Sequence, residues 1–247
     1  MKKWHFLKLD KEIYDIFIKG YTEKQWGRKA TELPASIIRR IPIRFTFDNN
    51  YFFDNYQGIP INGYTDIIKK LIKDIEIITD VDYFSNSSYF NSLANCLVFT
   101  GRIDEYYKYV YGHLEYRSLN FKTETLDIKN YQGNAVVNYT DIDVPYTRII
   151  EHKHFNFGNQ ERTVITKEYP LEGSREKEPF YPINTEINNE IYRRYKGLAF
   201  KENNVIFDGR LAEYKYYDMH QVIASALSRV RKEFGTNNLD ELWSEVI

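Results

Sequence analysis

Val205-Ile206-Phe207-Asp208-Gly209-Arg210-Leu211-Ala212-Glu213-Tyr214-Lys215-Tyr216-Tyr217-Asp218-Met219-His220 packs a strand, a turn, a polar aromatic loop and a helix start into one short stretch. Val205–Phe207 is a β-branched and aromatic triplet that runs through Gly209 into Arg210. Beyond Asp218, at an N-cap position, Met219, Val222, Ile223, Ala226, Leu227, Val230 and Phe234 repeat at helical spacing, and Gly235 closes the helix. This order of strand, glycine and helix reads as the return stroke of an α/β unit. The free N–H groups and dipole at such a helix start favour an anion or an electron-rich ring edge. A purely structural crossover hardly needs three tyrosines, two acids and an arginine there, so the loop is a functional candidate.

Upstream the pattern changes. Leu114–Leu126, Asn134–Asn138, Thr147–Phe155 and Thr163–Tyr169 are rich in β-formers and are joined by short polar connections such as Asn130-Tyr131-Gln132-Gly133, which predicts an antiparallel meander. At the start, Asp10 is placed to cap a helix carrying Ile13, Ile16 and Phe17 and running to about Gly20. A short helix is expected near Pro34, with Ile37 and Ile38 inward, and an extended stretch with a turn at Asn49-Asn50 between Phe45 and Tyr56. Thr65 is expected to cap a helix through Ile72 that leads into a strand over Ile75–Ile78. Cys96–Thr100 reads as a buried strand, followed by a helix over Asp104–Val110, and Ile187, Ile191 and Tyr195 mark another. The class is α+β, with four regions: a helical part over 1–56, an α/β part over 57–112, an antiparallel sheet inserted over 113–170, and an α/β return over 171–247.

Composition excludes several functions. The chain has 247 residues, 43% hydrophobic and 28% charged, with 34 basic and 35 acidic side chains. A net charge of -1 supplies no field for nucleic acid or an acidic membrane. The apolar runs are too short to span a bilayer. Cys96 is the only cysteine, which fits a reducing compartment, and a cytoplasmic location is expected. Aromatic content is 17%, including 22 tyrosines, a figure that either sheet propensity or a carbohydrate or nucleotide cleft explains.

No two of the 12 glycines stand two residues apart, so no G-x-G exists and neither a Rossmann phosphate turn nor a P-loop is present. His152 and His154 form an H-x-H on a predicted strand, where both imidazoles share a face and Glu151 and Lys153 face away. No third ligand stands at a metal-binding spacing, and no metal is expected. The Asp141-Ile142-Asp143 run lies in a hairpin-like loop and does not resemble a glycosyltransferase metal site at a strand end. Tyr21, Thr22 and Trp26, just past a helix end, fit either a helix-to-loop transition pinned by the tryptophan or a platform for a base. Arg39, Arg40 and Arg44 put three guanidiniums within an expected loop, suited to phosphate oxygens or to a solvated basic edge. Arg148 begins a strand, where an arginine is unremarkable taken alone.

Taken together, Lys19–Arg28, Arg39–Tyr51, Tyr56–Thr65, Val144–Phe155, Thr163–Leu171 and Gly209–Gln221 resemble UDP-galactopyranose mutase of the bacterial type, in order over roughly residues 10–234. The resemblance implies a flavoenzyme interconverting UDP-galactopyranose and UDP-galactofuranose, with reduced FAD as the nucleophile toward the anomeric carbon. It implies that Phe17, Tyr21, Thr22 and Trp26 hold the uridine, with Tyr21 against the uracil. Arg40, on a mobile lid, and Arg148 would be the catalytic pair that clamps the diphosphate. Tyr51, Tyr181 and Tyr216 would donate to the same phosphates, and Phe52 and Asn138 would line the sugar. Gly209, Arg210, Tyr217, Asp218 and Met219 would lie beside the flavin, and the aromatic excess would belong to this cleft. The family begins with a glycine-rich βαβ unit for the ADP part of FAD that has no counterpart here. The chain is therefore expected to be a C-terminal portion whose apolar faces have lost cover, and to self-associate. A non-catalytic fragment that binds the nucleotide sugar, or that assembles with a separate FAD-binding chain, is the alternative.

Overall fold

The computed structural model describes residues 11, 14–34, 37, 46–47 and 54–235. Two discontinuous units contain them: Met1–Gln57 with Glu115–Thr185, and Gly58–Leu114 with Glu186–Ile247.

The first unit is built on a five-stranded sheet. Its strands are β2 (Tyr116–Leu126), β3 (Val136–Asn138), β4 (Arg148–Glu151), β5 (Thr163–Glu172) and β6 (Tyr181–Pro182). All pairings are antiparallel, as the alternation predicts, but the spatial order is β3-β4-β5-β2-β6. The expected meander is thus corrected: β2 pairs with β5 along its whole length, from Arg117 opposite Glu172 to Leu126 opposite Thr163, and leaves β3 to β4. Two long strands paired with each other satisfy more backbone groups and align more side-chain pairs than either does beside the three-residue β3. Ile149 and Ile165 form fully buried points of this sheet.

Against the sheet lies α1 (Gly20–Trp26), entered through a π-helical turn over Tyr14–Lys19. Gly20 therefore continues a helix and does not end one; Gly27, at φ +62°, is the left-handed cap that does. Tyr21, Thr22 and Trp26 consequently stand on a helix, not past its end. The wider turn also moves the apolar stripe: Ile18 is buried while Ile16 and Phe17 are exposed. Two glycines permit close approach. A Cβ on Gly20 would lie 2.2 Å from the Thr140 carbonyl oxygen, and one on Gly27 would lie 2.6 Å from the Arg117 guanidinium. Buried Arg117 donates from Nε to the Gln25 carbonyl at 2.9 Å, satisfying one of the last acceptors of α1. Trp26 packs with Leu33 and Ile183, and Ile37 and Tyr181 close the cluster. Asp10, Ile13, Ile38 and most of Phe45–Tyr56 lie outside the described residues.

The second unit holds a parallel pair, β1 (Leu97–Phe99) and β7 (Val205–Phe207), in register Leu97 to Val205 and Phe99 to Phe207. Around it run α2 (Tyr64–Leu71), α3 (Ser87–Ser92), α4 (Ile103–Tyr106), α5 (Glu186–Ala199), α6 (Gly209–Ala212) and α7 (Met219–Phe234). Four expectations change here. The strand read as buried exposes Val98 and the preceding Cys96. Gly63 rather than Thr65 is the N-cap of α2, the helix expected to reach Val110 stops at Tyr106, and Ile75–Ile78 forms no strand. Ile75, Ile77 and Ile78 are exposed, so those residues have no strand partner whose pairing would fix them. The expectation for α7 holds: Asp218 is its N-cap and Gly235, at φ +61°, its C-cap.

Aromatic rings form the core of this unit. Phe99 lies 5.0 Å from Tyr106, 5.7 Å from Tyr83 and 5.9 Å from Phe207, and Tyr106 meets Phe207 edge-on at 4.9 Å. Burial holds the Tyr106 phenol at about 12, helped by Tyr83 and Glu202. Part of the aromatic content is therefore spent on packing, where a ring buries more area than any aliphatic side chain, while Phe17, Tyr56, Tyr64, Phe157 and Phe200 stand exposed.

Candidate functional site

In the first unit the sheet register builds a row of polar side chains. Asn138 on β3 stands opposite Arg148 on β4, and Arg148 stands opposite Glu168 on β5. Directly opposed residues on antiparallel strands share a face, so the three side chains meet. Arg148 Nε donates to Asn138 Oδ1 at 3.2 Å, and Nη1 lies 3.8 Å from Glu168 Oε2. From α1, the Tyr21 phenol oxygen accepts from Arg148 Nη2 at 3.1 Å. The guanidinium is thus oriented from three directions, with its side chain 30% exposed.

The electrostatics of the row are uneven. Burial works against the charge of Arg148, but Tyr21, Glu168 and Tyr181 outweigh it and raise its pKa above the ordinary arginine value. Glu168 is pushed up by burial, only partly offset by Arg148 and Thr147. The carboxylate lies deeper than the guanidinium, at 5% exposure, and 3.8 Å is long for an ion pair. Its Oε1 is buried with no hydrogen-bond partner. A fixed cation beside a half-open face, with a phenol and an amide around it, is suited to polyanion oxygens.

The other residues expected in this site fall into three groups. Phe17 is exposed and Tyr21 half-buried, so both present ring surface. Thr22 and Trp26 are buried, and the Trp26 ring sits 6.1 Å from that of Tyr181. Of the two readings of that segment, a helix pinned by tryptophan describes its packing. Arg39, Arg40, Arg44, Tyr51 and Phe52 lie outside the described residues.

In the second unit the 205–220 stretch departs from its reading at one point: β7 ends at Phe207, and Gly209–Ala212 forms the short helix α6 where a strand end and loop were expected. Gly209, at φ +87°, turns the chain out of β7, and Asp208 Oδ1 accepts the Gly209 N–H at 2.9 Å. Ser225 Oγ lies 3.0 Å from Asp208 Oδ1 and 3.0 Å from Glu213 Oε2, which ties α7 to the turn. The Arg210 guanidinium stacks 5.2 Å from the Tyr216 ring, and Lys215 Nζ donates to the Tyr217 phenol oxygen at 2.9 Å. Gln221 Oε1 accepts the Asp218 N–H at 2.8 Å in a capping box, and Met219 is exposed beside it. This end of α7 gathers aromatic rings and an exposed thioether. It does not supply the turn that would hold the dinucleotide phosphates, since the sequence contains no G-x-G.

The histidine pair is corrected. β4 ends at Glu151, and His152–Asn156 forms a 3-10 helix, so the imidazoles do not share a strand face. His152 Nε2 meets Thr166 Oγ1 at 2.7 Å, whereas His154 Nε2 lies 3.0 Å from Glu151 Oε2. Glu151, expected to face away, is instead the buried partner. No group of three metal-ligating side chains exists among the described residues.

Sequence reading missed Glu168, Lys24 and Arg117. A charged residue inside a strand of β-formers was the available signal for Glu168, but only the register shows that it faces Arg148.

Two comparisons bear on this geometry. Relatives include a probable UDP-galactopyranose mutase of Klebsiella pneumoniae, 42% identical over 89% of this chain and 57% of its own length. A dTDP-fucopyranose mutase of Escherichia coli is 38% identical over 87% of this chain and 59% of its own. A UDP-galactopyranose mutase of Mycoplasma genitalium is 30% identical over 91% and 60%. The chain thus spans less than two thirds of the length of these relatives. The sequence model of the UDP-galactopyranose mutase family matches residues 16–216, inside which fall the Asn138–Arg148–Glu168 row, the Tyr21 helix and the Gly209 turn, and the chain belongs to that family.

Proposed function

We propose that this chain supplies the nucleotide-sugar half of a flavin-dependent mutase that interconverts UDP-galactopyranose and UDP-galactofuranose. The observation that carries the reading is Arg148, oriented by Tyr21, Asn138 and Glu168 with part of its guanidinium open. In this reading Tyr21 and Phe17 take the uracil, with Thr22 and Trp26 as the buried footing of their helix. Arg148 and Arg40 bind the diphosphate and stabilise the charge that grows on UDP as the glycosidic bond breaks. Tyr51 and Tyr181 donate to the same phosphates, while Asn138 and Phe52 border the sugar.

Gly209, Arg210, Tyr217, Asp218 and Met219 serve one edge of FAD, which when bound in its reduced form supplies the nucleophile. Regions 1–56 and 113–170, together with Tyr181, serve the substrate, and region 57–112 and the remainder of 171–247 serve the cofactor. The protein acts in the cytoplasm and self-associates through apolar side chains that stand exposed, such as Ile68 and Leu71 on α2.

Titration of the chain with UDP, followed by tyrosine and tryptophan fluorescence, tests the clamp. UDP should bind, and Arg148→Ala should weaken it by about 30-fold or more, the usual loss for one partner of a desolvated charge contact. Unchanged affinity in that variant would remove Arg148 from the site. The similarity to a dTDP-fucopyranose mutase makes dTDP the informative competitor. The second reading is a nucleotide-sugar binder or assembly fragment without its own catalysis. Flavin uptake separates the two: protein that turns yellow with FAD supports the catalytic reading, and colourless protein that still binds UDP supports the other.

A further inference from the structure

Lys24 stands on α1 one turn beyond Tyr21, and its three ammonium protons have three acceptors. Nζ donates to the backbone carbonyls of Tyr139 at 2.7 Å, Val144 at 3.0 Å and Tyr146 at 3.1 Å. An ammonium with all its donors engaged has none left for a phosphate. Lys24 is therefore not a substrate cation, although it lies on the helix assigned to the nucleotide.

Its acceptors say what it does. Tyr139 directly follows Asn138, and Tyr146 stands two residues before Arg148, so the carbonyls come from both ends of the loop joining β3 to β4. The loop neck is closed independently, since the Tyr139 N–H donates to the Thr147 carbonyl at 2.9 Å. Lys24 therefore fixes where the closed hairpin sits relative to α1. Gly20 makes the approach possible, because any Cβ there would meet the Thr140 carbonyl oxygen at 2.2 Å. Helix and hairpin carry the two sides of one contact, the Tyr21 phenol and the Arg148 guanidinium. Burial lowers the pKa of Lys24, with Asp141 opposing that shift.

We propose that Lys24 is a positioning residue: by drawing three carbonyls of the β3–β4 loop onto α1, it sets the separation of Tyr21 and Arg148 and hence the fit of the clamp around a nucleoside diphosphate. The inference rests on the assignment of Arg148 to that diphosphate. A mere loop staple would also hold the hairpin, but its loss would act on binding without regard to Arg148.

A double-mutant cycle in the whole 247-residue chain separates these cases, with UDP as the probe and near-UV circular dichroism reporting the fold. Lys24→Met should weaken UDP by about tenfold in the wild-type background and by less than about twofold in the Arg148→Ala background, because coupled groups are non-additive. Equal losses in both backgrounds overturn the proposal, as does full affinity in Lys24→Met when Arg148→Ala has lost it. If Arg148→Ala itself binds UDP normally, the clamp assignment falls and this inference with it. Lys24→Gln, which keeps two donors, runs the same cycle should the methionine variant not fold, and the same coupling is required of it.

Discussion

Glu151 offers the test in which the magnitude follows most directly from the structure. Its carboxylate is fully buried at the end of β4, three residues from Arg148. Oε1 accepts from Thr163 Oγ1 at 2.7 Å and the Tyr131 N–H at 3.0 Å, Oε2 accepts from the Gln132 N–H at 2.8 Å, and His154 Nε2 lies 3.0 Å from Oε2. Burial alone would raise its pKa, but these donors outweigh burial and bring it from 4.5 to about 2. A folded-state value below the unfolded one stabilises the protein above the unfolded pKa and ceases to do so as pH falls through the folded pKa. The displacement corresponds to about 3 kcal/mol at neutral pH, of which about 2 kcal/mol is gone by about pH 3. Glu151→Gln mimics the protonated state, so it should cost about 3 kcal/mol at about pH 7 and progressively less toward about pH 3. Urea unfolding followed by tryptophan fluorescence, in which buried Trp26 reports on this unit, measures both proteins across that range. A gap between wild type and variant that stays constant with pH would refute the reasoning, because it would mean that the charge of Glu151 contributes nothing.

Three other outcomes are expected. Glu168→Gln removes a carboxylate that burial holds above its ordinary pKa, a group that costs stability once ionised; its unfolding free energy should stay within about 1 kcal/mol of wild type or exceed it. A loss beyond about 2 kcal/mol would show that the pair with Arg148 stabilises the fold after all. Gly20→Ala gains about 1 kcal/mol of helix propensity but collides with the Thr140 carbonyl, and overpacking of about 1–3 kcal/mol should leave it less stable by thermal unfolding. Finally, Ile68→Asp combined with Leu71→Asp should reduce self-association of the chain in sedimentation experiments, and a wild-type chain that is already a monodisperse monomer would contradict the proposed role of α2.

Local chemistry was sufficient for several elements. The Asp218 cap, the helical run of α7 and the closing Gly235 are nearest-neighbour and helical-period signals, and all three appear where they were read, although Met219, Ile223 and Val230 of the apolar stripe stand exposed. The four β-forming segments likewise appear as antiparallel strands. What local chemistry could not supply was partner choice. Alternation tells a strand which face is apolar but not which strand lies beside it, so β2 was placed next to β3 rather than β5. Histidine parity failed for a related reason: β4 stops at Glu151, where the carboxylate is claimed by the 130–133 loop and Thr163, and the chain turns into a 3-10 helix before His152 can continue the strand.

By itself, then, the sequence determined the class of the chain, its family through ordered motif blocks, and the character of the 205–220 turn, because each depends on residues close together in the chain. Tertiary structure alone decided that Asn138, Arg148 and Glu168 form one row, that Tyr21 completes it from a helix, and that Lys24 ties that helix to the hairpin. Those contacts join residues up to 127 positions apart, and their geometry is fixed by sheet register and by a close approach at Gly20, neither of which has a local signature.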